Sequence, residues 1–327
     1  MTHPRKHHYL PEFYLRRWVG ADDRLTEFRR PHKALVERRK FPSETGFERE
    51  LYSIKTREDE AARQELETGF LRKVDNDAAQ ALAFLEEHRS TPTDDRLRDG
   101  WVRFIMSLLH RAPWRVDWMR RQLAEHEVEV LADIKTRWNE VRGPGDPATF
   151  EEYMATPHAK TLVDENLAKL LTDMMDSEMI GSALARMHWG FARLGETRFG
   201  LMTSDSPVMV SNGIGHKDGF VALPTSPTTF FIAANRAETI NAFRTQTNRA
   251  LELAFNDAVV RQARHLVIAP DARQFGFVEK RFRPDDASRD DMNRLTWNSP
   301  LIDVPAPKLP QSATSGLAYM RWGRPAS

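Results

Sequence analysis

Residues 6–18 read Lys6-His7-His8-Tyr9-Leu10-Pro11-Glu12-Phe13-Tyr14-Leu15-Arg16-Arg17-Trp18, and this stretch decides the fold. Proline suits the first turn of a helix, where a backbone N–H is not needed, so the segment from Pro11 onward favours a short helix. Tyr14 and Trp18 are four residues apart and share one face of that helix. The stretch therefore predicts a buried aromatic helix around which the core is organised.

Two histidines, His7 and His8, come directly before this helix. Unpaired N–H groups and the helix dipole make that end positive, which favours neutral imidazole over imidazolium. Neutral imidazole can bind a metal or accept a proton. Arg16 and Arg17 fall on the other side of the helix and are expected to bind an anionic substrate. The alternative is an aromatic anchor whose histidines only cap and hydrogen-bond.

The charge of the chain is uneven. All 327 residues carry a formal net charge of +1, whereas residues 1–40 contain eleven lysines and arginines against five acidic residues. A basic head of this kind fits an anionic ligand, although a solvated surface would have the same composition. The absence of cysteine excludes disulfides, thiolate metal sites and cysteine nucleophiles, so any metal must be bound by His, Asp or Glu.

No apolar run approaches membrane-spanning length, and the first residues lack the apolar core of a signal peptide. We therefore expect a cytoplasmic protein with no membrane partner. The sequence contains no internal repeat and no P-loop, GxGxxG, HExxH or GxSxG motif. These absences leave the reaction open.

Hydrophobic periodicity predicts strands towards both ends of the chain and helices between them. Helical spacing begins at about residue 58, is interrupted at 91–94, Ala112-Pro113 and 143–147, and continues in predicted helices at 148–155 and 159–193. A further helix is predicted at 244–264. Strands are predicted at 24–28, 199–202, 208–210, 219–223, 229–233 and 265–268.

This order predicts an α+β protein in which a small mixed or antiparallel sheet is built from both chain ends and a large helical block is inserted between. The predicted segments are 1–57, the N-terminal motif and short strands; 58–193, the helical block; 194–285, an α+β region that packs on the N-terminal motif; and 286–327, a tail rich in Pro and Ser. The tail composition is typical of loosely packed chain.

Two further motifs carry candidate site residues. In Thr203-Ser204-Asp205-Ser206-Pro207 an acid follows a buried strand and precedes a rigid proline, so that a ligand could meet it; the alternative is an Asx-turn. Arg111 ends the most apolar helix of the chain and must reach solvent, pair with an acid or line a cavity. The sequence leaves open whether Arg111 forms a buried ion pair with Asp205 or Asp75 or binds an anion. Asn256 either caps a strand end or contacts the site.

The order of these motifs resembles that of the uncharacterised bacterial family DUF4238, whose members open on a QHYxPxFYLxxF-like segment. The counterparts here are residues 7–18, Arg111-Ala112-Pro113, Thr203-Ser204-Asp205-Ser206-Pro207-Val208, Pro224-Thr225-Ser226-Pro227 and Asn256 through Ala263-Arg264. The resemblance spans roughly residues 5–270. It implies that the opening segment and the 199–270 region belong together, so we predict that they pack against each other. It implies no particular activity.

This sequence departs from the family pattern at four positions. Ala112 replaces a threonine, Ser206 an asparagine, Trp18 a phenylalanine and Asp75 a glutamate. Any chemistry that the family's threonine or asparagine performs would be altered here.

Together the motifs predict one cleft at which His8, Arg111 and Asp205 converge. The leading hypothesis is an enzyme that acts on a phosphate-bearing substrate, of the nuclease or nucleotide hydrolase type. His8 and Asp205 would hold a divalent metal or act as base and orienter, and Arg111 would stabilise charge. The expected substrate-binding residues are His7, Arg16, Arg17, Ser204 and Asn256.

The alternative is a non-catalytic module whose basic head binds nucleic acid, a nucleotide or an acidic protein partner. A third reading gives all three motifs a structural role only. The cofactor, the oligomeric state and the substrate stay open.

Overall fold

The computed structural model describes residues 5–53 and 64–283, without the side chains of 124–130, 157, 158 and 160–164. The predicted tail, 286–327, and the predicted start of the helical block at residue 58 lie outside the described residues.

The described strands form antiparallel sheets. β1 pairs with β4, a second sheet has the order β3-β2-β10-β6, and a third has the order β5-β9-β8-β7. The strands are β1 (Lys6–His8), β2 (Leu25–Arg29), β3 (Val36–Lys40), β4 (Phe47–Arg49), β5 (His188–Arg193), β6 (Thr203–Ser204), β7 (Met209–Ser211), β8 (Phe220–Pro224), β9 (Thr229–Ala234) and β10 (Val267–Ala269).

The second sheet joins the two ends of the chain. Val267 of β10 lies opposite Phe28 of β2 on one side and opposite Ser204 of β6 on the other. The predicted α+β fold, with a sheet built from both chain ends around inserted helices, is confirmed, and every pairing between described strands is antiparallel.

The helices occupy mainly the middle of the chain. They are α1 (Glu12–Leu15), α2 (Arg72–His88), α3 (Asp95–His110), α4 (Pro113–Thr136), α5 (Trp138–Val141), α6 (Phe150–Ala155), α7 (Pro157–Met175), α8 (Glu178–Arg186), α9 (Ala237–Arg244), α10 (Asn248–Gln262) and α11 (Phe275–Arg281). A π-helical turn, Leu66–Leu71, leads into α2, and 3₁₀ turns occupy Arg16–Trp18, Pro42–Glu44 and Ala272–Gln274.

Helix α3 is the centre of the helical block, as its sequence predicts. The Asp94 side chain accepts a hydrogen bond from the Arg96 N–H and caps the helix. The helix then packs against α2, α7 and α8. A Cβ on Gly100 would lie 2.9 Å from Asp77 Cβ, so glycine at this position permits the close approach of α2 and α3.

The opening stretch is buried as predicted. Tyr14 and Trp18 are both 0% exposed, and their polar atoms bond to the C-terminal half of the chain. The Tyr14 hydroxyl lies 2.7 Å from Thr203 Oγ1 and donates to the Pro224 carbonyl at 2.8 Å, while the Trp18 indole N–H donates to the Leu201 carbonyl at 2.9 Å. Tyr14 and Trp18 of the opening segment are therefore bonded to residues 201, 203 and 224.

Two predicted elements are wrong. The helix predicted at 159–193 ends earlier, because Ser177 caps a new helix, α8, and residues 188–193 pair with β9 as strand β5. Residues 199–202 do not form the predicted strand. Gly200 has a φ of +81°, and the N–H groups of 199, 200 and 202 are bound by the side chains of Glu252 and Asn256 on α10.

Within the ranges that the structure describes, no helix combines the length and apolarity that a membrane crossing requires.

We expect Tyr14→Phe to lower the free energy of unfolding by roughly 1–3 kcal/mol, because the Pro224 carbonyl and the Thr203 hydroxyl would lose their buried partner. Urea denaturation followed by tryptophan fluorescence measures the change. Since both residues belong to one hydrogen-bonded group, the double variant Tyr14→Phe with Thr203→Val should lose less than the sum of the two single losses. Additive losses would contradict a shared interaction.

Candidate functional site

Arg111 lies at the C-terminal end of α3 with a completely buried side chain. The chain turns sharply after it, since Pro113 starts α4. The guanidinium lies 5.7 Å from the centre of the Phe104 ring, two helical turns back on the same face. The Arg111 carbonyl accepts a hydrogen bond from the Tyr52 hydroxyl. Arg111 is therefore held in the interior both at its backbone carbonyl and at its guanidinium.

One side of this guanidinium has a partner. Arg111 Nη1 lies 2.8 Å from Asp75 Oδ1 on α2, which confirms one of the pairings left open by the sequence. Arg111 Nε and Nη2 have no hydrogen-bond partner among the described residues, although both are buried. Burial raises the pKa of Asp75, and the charge of Arg111 opposes that rise.

Glu67 lies beside this pair, on the π-helical turn that leads into α2. A π turn inserts an extra residue into a helix, and such turns are frequent at functional sites. Burial raises the pKa of the Glu67 carboxyl to about 7, opposed by the charge of Arg111 and supported by that of Asp75. Glu67 Oε2 is buried and lacks a partner within the described part of the chain. This carboxyl therefore exchanges its proton near neutral pH.

His8 completes the group. Its backbone N–H lies 3.4 Å from Glu67 Oε1, and its Nε2 lies 3.8 Å from Glu12 Oε1, too far for a hydrogen bond. Nε2 is buried without a hydrogen-bond partner in the described ranges, and the side chain is 17% exposed. Burial lowers the pKa of His8, so the imidazole is neutral at pH 7, as the sequence predicts.

We call His8, Tyr52, Glu67, Asp75 and Arg111 the Arg111 cluster. Its members come from β1, the loop after β4, the π turn, α2 and the end of α3. Three of these side chains present buried polar atoms that no described residue satisfies. Buried polar atoms are nearly always bonded in native proteins, so such a concentration indicates a place for a ligand.

His7 has a different environment from His8. It is completely buried, its ring is stacked on Tyr52, and its Nδ1 accepts from the Tyr52 N–H at 3.0 Å. Nε2 then carries the proton and donates to Gln64 Oε1 at 2.5 Å. This histidine positions the Tyr52 loop, and the substrate contact expected for it stays a prediction.

The carboxylate of Asp205 bonds to backbone. Its Oδ1 accepts from the Arg264 N–H at 2.9 Å and its Oδ2 from the His265 N–H at 2.7 Å. Burial raises the pKa of Asp205, opposed by His265 and by these backbone bonds. Asp205 thus ties the loop before β10 to β6, and among the described residues its carboxylate forms no hydrogen bond or ion pair with His8 or Arg111.

The other expected substrate-binding residues also have protein partners. Ser204 Oγ accepts from the Ser206 N–H at 3.2 Å, and Asn256 bonds the N–H of Met202 and the carbonyl of Gly200. Arg16 pairs with Glu12, and Arg17 pairs with Glu86. Their direct role towards a substrate stays a prediction.

Metal binding through His8 and Asp205 likewise stays a prediction. Among the side chains that the structure describes, no group of three or more His, Asp or Glu residues is arranged to hold a metal ion. Both oxygens of Asp205 already accept backbone hydrogen bonds, which fits a structural carboxylate better than a metal ligand.

Sequence reasoning missed Glu67 and Tyr52. Glu67 lies in an ordinary helical pattern, and nothing in its neighbours signals the π turn or its burial beside Arg111. Tyr52 lies in the stretch Leu51-Tyr52-Ser53-Ile54, which fits plain extended chain. Only the meeting of β1, α2 and α3 shows their role.

A family model described as "Protein of unknown function (DUF4238)" matches residues 6–273, which is most of the chain. The chain therefore belongs to this family. No curated protein and no solved structure matches it.

Asp205→Asn tests whether Asp205 is structural. An amide presents one acceptor where the carboxylate presents two, so one of the N–H groups of Arg264 and His265 would lose its bond. We expect the free energy of unfolding to fall by about 1–3 kcal/mol in urea denaturation. A variant as stable as the wild type would instead favour a ligand role for Asp205.

Glu67→Gln should change the pH dependence of stability. The folded-state pKa of Glu67 lies above its usual value of 4.5, at about 7, so the stabilisation from holding this proton is complete below pH 4.5 and is lost as the pH rises through 7. A permanently neutral glutamine avoids that loss. We expect equal stability at pH 4.5 and a gain of roughly 3 kcal/mol for the variant at pH 8.

Urea denaturation at the two pH values measures this difference. Glu87→Gln, an exposed change on α2, is the matched control and should show no pH-dependent gain. A gain for Glu67→Gln that is equal at both pH values would contradict the raised pKa.

Proposed function

We propose that this member of the DUF4238 family is an enzyme that cleaves a phosphate ester, of the nuclease or nucleotide hydrolase type, at the Arg111 cluster. One observation carries the proposal. Within the described residues, four buried polar atoms of this cluster have no hydrogen-bond partner: Arg111 Nε and Nη2, Glu67 Oε2 and His8 Nε2. We place the activity in the cytoplasm of a bacterium.

Arg111 would bind the phosphate. The Nε–H and Nη2–H of a guanidinium point the same way and form a fork that matches two oxygens of a phosphate group. Asp75 holds the opposite side of the guanidinium through Nη1. The pair leaves the fork open and fixes its direction, which favours binding of a tetrahedral anion in one orientation.

Glu67 would act as the general acid. With a pKa of about 7, the Glu67 carboxyl is protonated in much of the protein at neutral pH. A bound anion beside it would raise this pKa further, so that Glu67 would hold its proton more strongly. A protonated carboxyl does not repel the phosphate and can donate to the leaving oxygen.

His8 would act as the general base. It is neutral because burial lowers its pKa, and Glu12 at 3.8 Å would stabilise the imidazolium once a proton arrives. In the proposed step a water oxygen attacks phosphorus while its proton passes to His8. The ester P–O bond breaks, the leaving oxygen takes the proton of Glu67, and exchange of one proton from His8 to Glu67 through solvent restores both groups.

The test uses the full chain with bis(p-nitrophenyl) phosphate and p-nitrophenyl phosphate as probes. Glu67→Gln should lower kcat by roughly 10²–10⁴-fold through loss of the general acid. Arg111→Lys keeps the charge but removes the fork, and should raise KM and lower kcat. The rate of the wild type should fall as the pH rises above 7, because Glu67 loses its proton.

Arg121→Gln is the control, since this exposed arginine on α4 lies outside the Arg111 cluster and should leave the rate unchanged. Equal rates for Glu67→Gln and wild type would overturn the assignment of the acid. A protein that cleaves neither probe, nor single-stranded DNA or RNA, but binds RNA with a graded loss for each surface arginine removed would support the alternative, a non-catalytic binding module.

A further inference from the structure

A second arginine, Arg115, is buried on the other side of the break between α3 and α4. Its side chain is 4% exposed, and its Nε and Nη1 are buried with no partner in the part of the chain that the structure describes. Unlike Arg111, it has no carboxylate among its described contacts. Burial alone lowers the pKa of Arg115, to about 10. A buried guanidinium without an acid is costly unless an anion accompanies it.

The groups around Arg115 are aromatic or cationic. Its guanidinium lies 5.6 Å from the ring centre of Trp114 and 5.4 Å from that of Trp118. His110 is also buried, with an unpartnered Nδ1 among the described residues, and burial together with the charge of Arg115 lowers its pKa to about 3. The guanidinium of Arg264 lies 5.1 Å from the Trp114 ring. Two guanidinium groups therefore lie near the Trp114 ring, one of them also lies near Trp118, and the charge of Arg115 acts on His110.

The backbone adds to this positive field. Arg115 lies in the first turn of α4, a helix of 24 residues that has no side-chain cap on Ala112 and no acid in its first turn. The amino end of a helix is positive and attracts anions, so a cation placed there is disfavoured. The positive end of α4 and the charged side chain of Arg115 therefore both favour a bound anion.

Arg115 and Arg111 have different neighbours. Arg111 shifts the pKa values of His8, Glu67 and Asp75, whereas Arg115 shifts that of His110. The surroundings of Arg115 also include residues 203–207, because the Trp114 indole N–H donates to Ser206 Oγ at 3.1 Å. The surroundings of Arg115 are therefore separate from the Arg111 cluster. A ligand site at Arg115 does not depend on the proposed function.

We propose that Arg115, His110 and the first turn of α4 form a second ligand site, which binds the oxyanion group of a small molecule. The buried guanidinium of Arg115, which has unpartnered N–H groups in the described ranges, donates to the anion. Trp114 and Trp118 hold the guanidinium in place through their ring faces. The chemical class is a phosphate or carboxylate group, and the probes are inorganic phosphate and acetate.

The experiment compares thermal unfolding of the full chain at constant ionic strength with chloride alone, with phosphate and with acetate. Binding to the folded state raises Tm, so the anion that fits should stabilise the wild type. Arg115→Met keeps the length and loses the charge. It should unfold at an equal or higher Tm in chloride, and calorimetry should show binding of the fitting anion weakened about 10- to 100-fold, as for loss of hydrogen bonds to a charged group. Arg121→Met, exposed on the same helix, is the control and should behave as the wild type.

Arg111→Lys separates the two sites. If this variant loses the anion-dependent rise in Tm and Arg115→Met keeps it, the anion binds at the Arg111 cluster and the second site is overturned, while the proposed function stands. A lower Tm for Arg115→Met in chloride, with unchanged anion binding, would show a purely structural arginine and would also overturn the proposal.

A measurement on the wild type covers the case in which Arg115→Met does not fold. The His110 imidazole signals, assigned in ¹⁵N NMR spectra with a His110→Gln variant, should shift on titration with the anion that binds. Signals of His110 that stay fixed under both phosphate and acetate would overturn the second site.

Discussion

The hydrogen bonds of the Tyr14 hydroxyl connect the first residues of the chain to its C-terminal half. A large aromatic side chain with a polar tip can be buried completely only where that tip finds partners, and here Thr203 and Pro224 provide them. The indole of Trp18 bonds in the same way to Leu201. The opening helix is too short to be stable alone, so its position depends on these contacts.

This constraint also positions the helical block. Because Tyr14 and Trp18 are held against the 199–270 region, the inserted helices must return to the same core, and α3 meets the opening stretch there. Phe13 and Tyr14 both contact Phe104 of α3. The guanidinium of Arg111, on the same face of α3 as Phe104, thereby reaches the surroundings of His8 and Glu67.

The two buried arginines show how one helix break can produce two environments. Arg111 has a carboxylate partner and lies among groups that exchange protons, so its surroundings suit chemistry on a bound anion. Arg115 follows one turn later and has indoles, an imidazole and a helix amino end around it. Its surroundings suit binding but contain no described group that could act as acid or base near neutral pH. The difference arises from the neighbouring elements, since the residue type is the same.

The sequence by itself determined the α+β class and many of the elements, although not the strand at 188–193 or the irregular backbone at 199–202. The spacing of Tyr14 and Trp18, the apolar run of α3, the stop at Pro113 and the alternation of the late strands are local patterns, and local patterns report periodicity and breaks. They also identified His8 and Arg111 as candidate site residues.

Only the tertiary structure decided what surrounds His8 and Arg111. Glu67 is 59 residues from His8 in the chain, and its raised pKa results from burial beside Arg111, which no local pattern records. In the same way, Asp205 reads as a ligand residue in sequence, whereas its oxygens bind backbone N–H groups that come from the distant loop before β10. Burial, charge and hydrogen-bond partners depend on contacts between remote segments, and those contacts exist only in the folded chain.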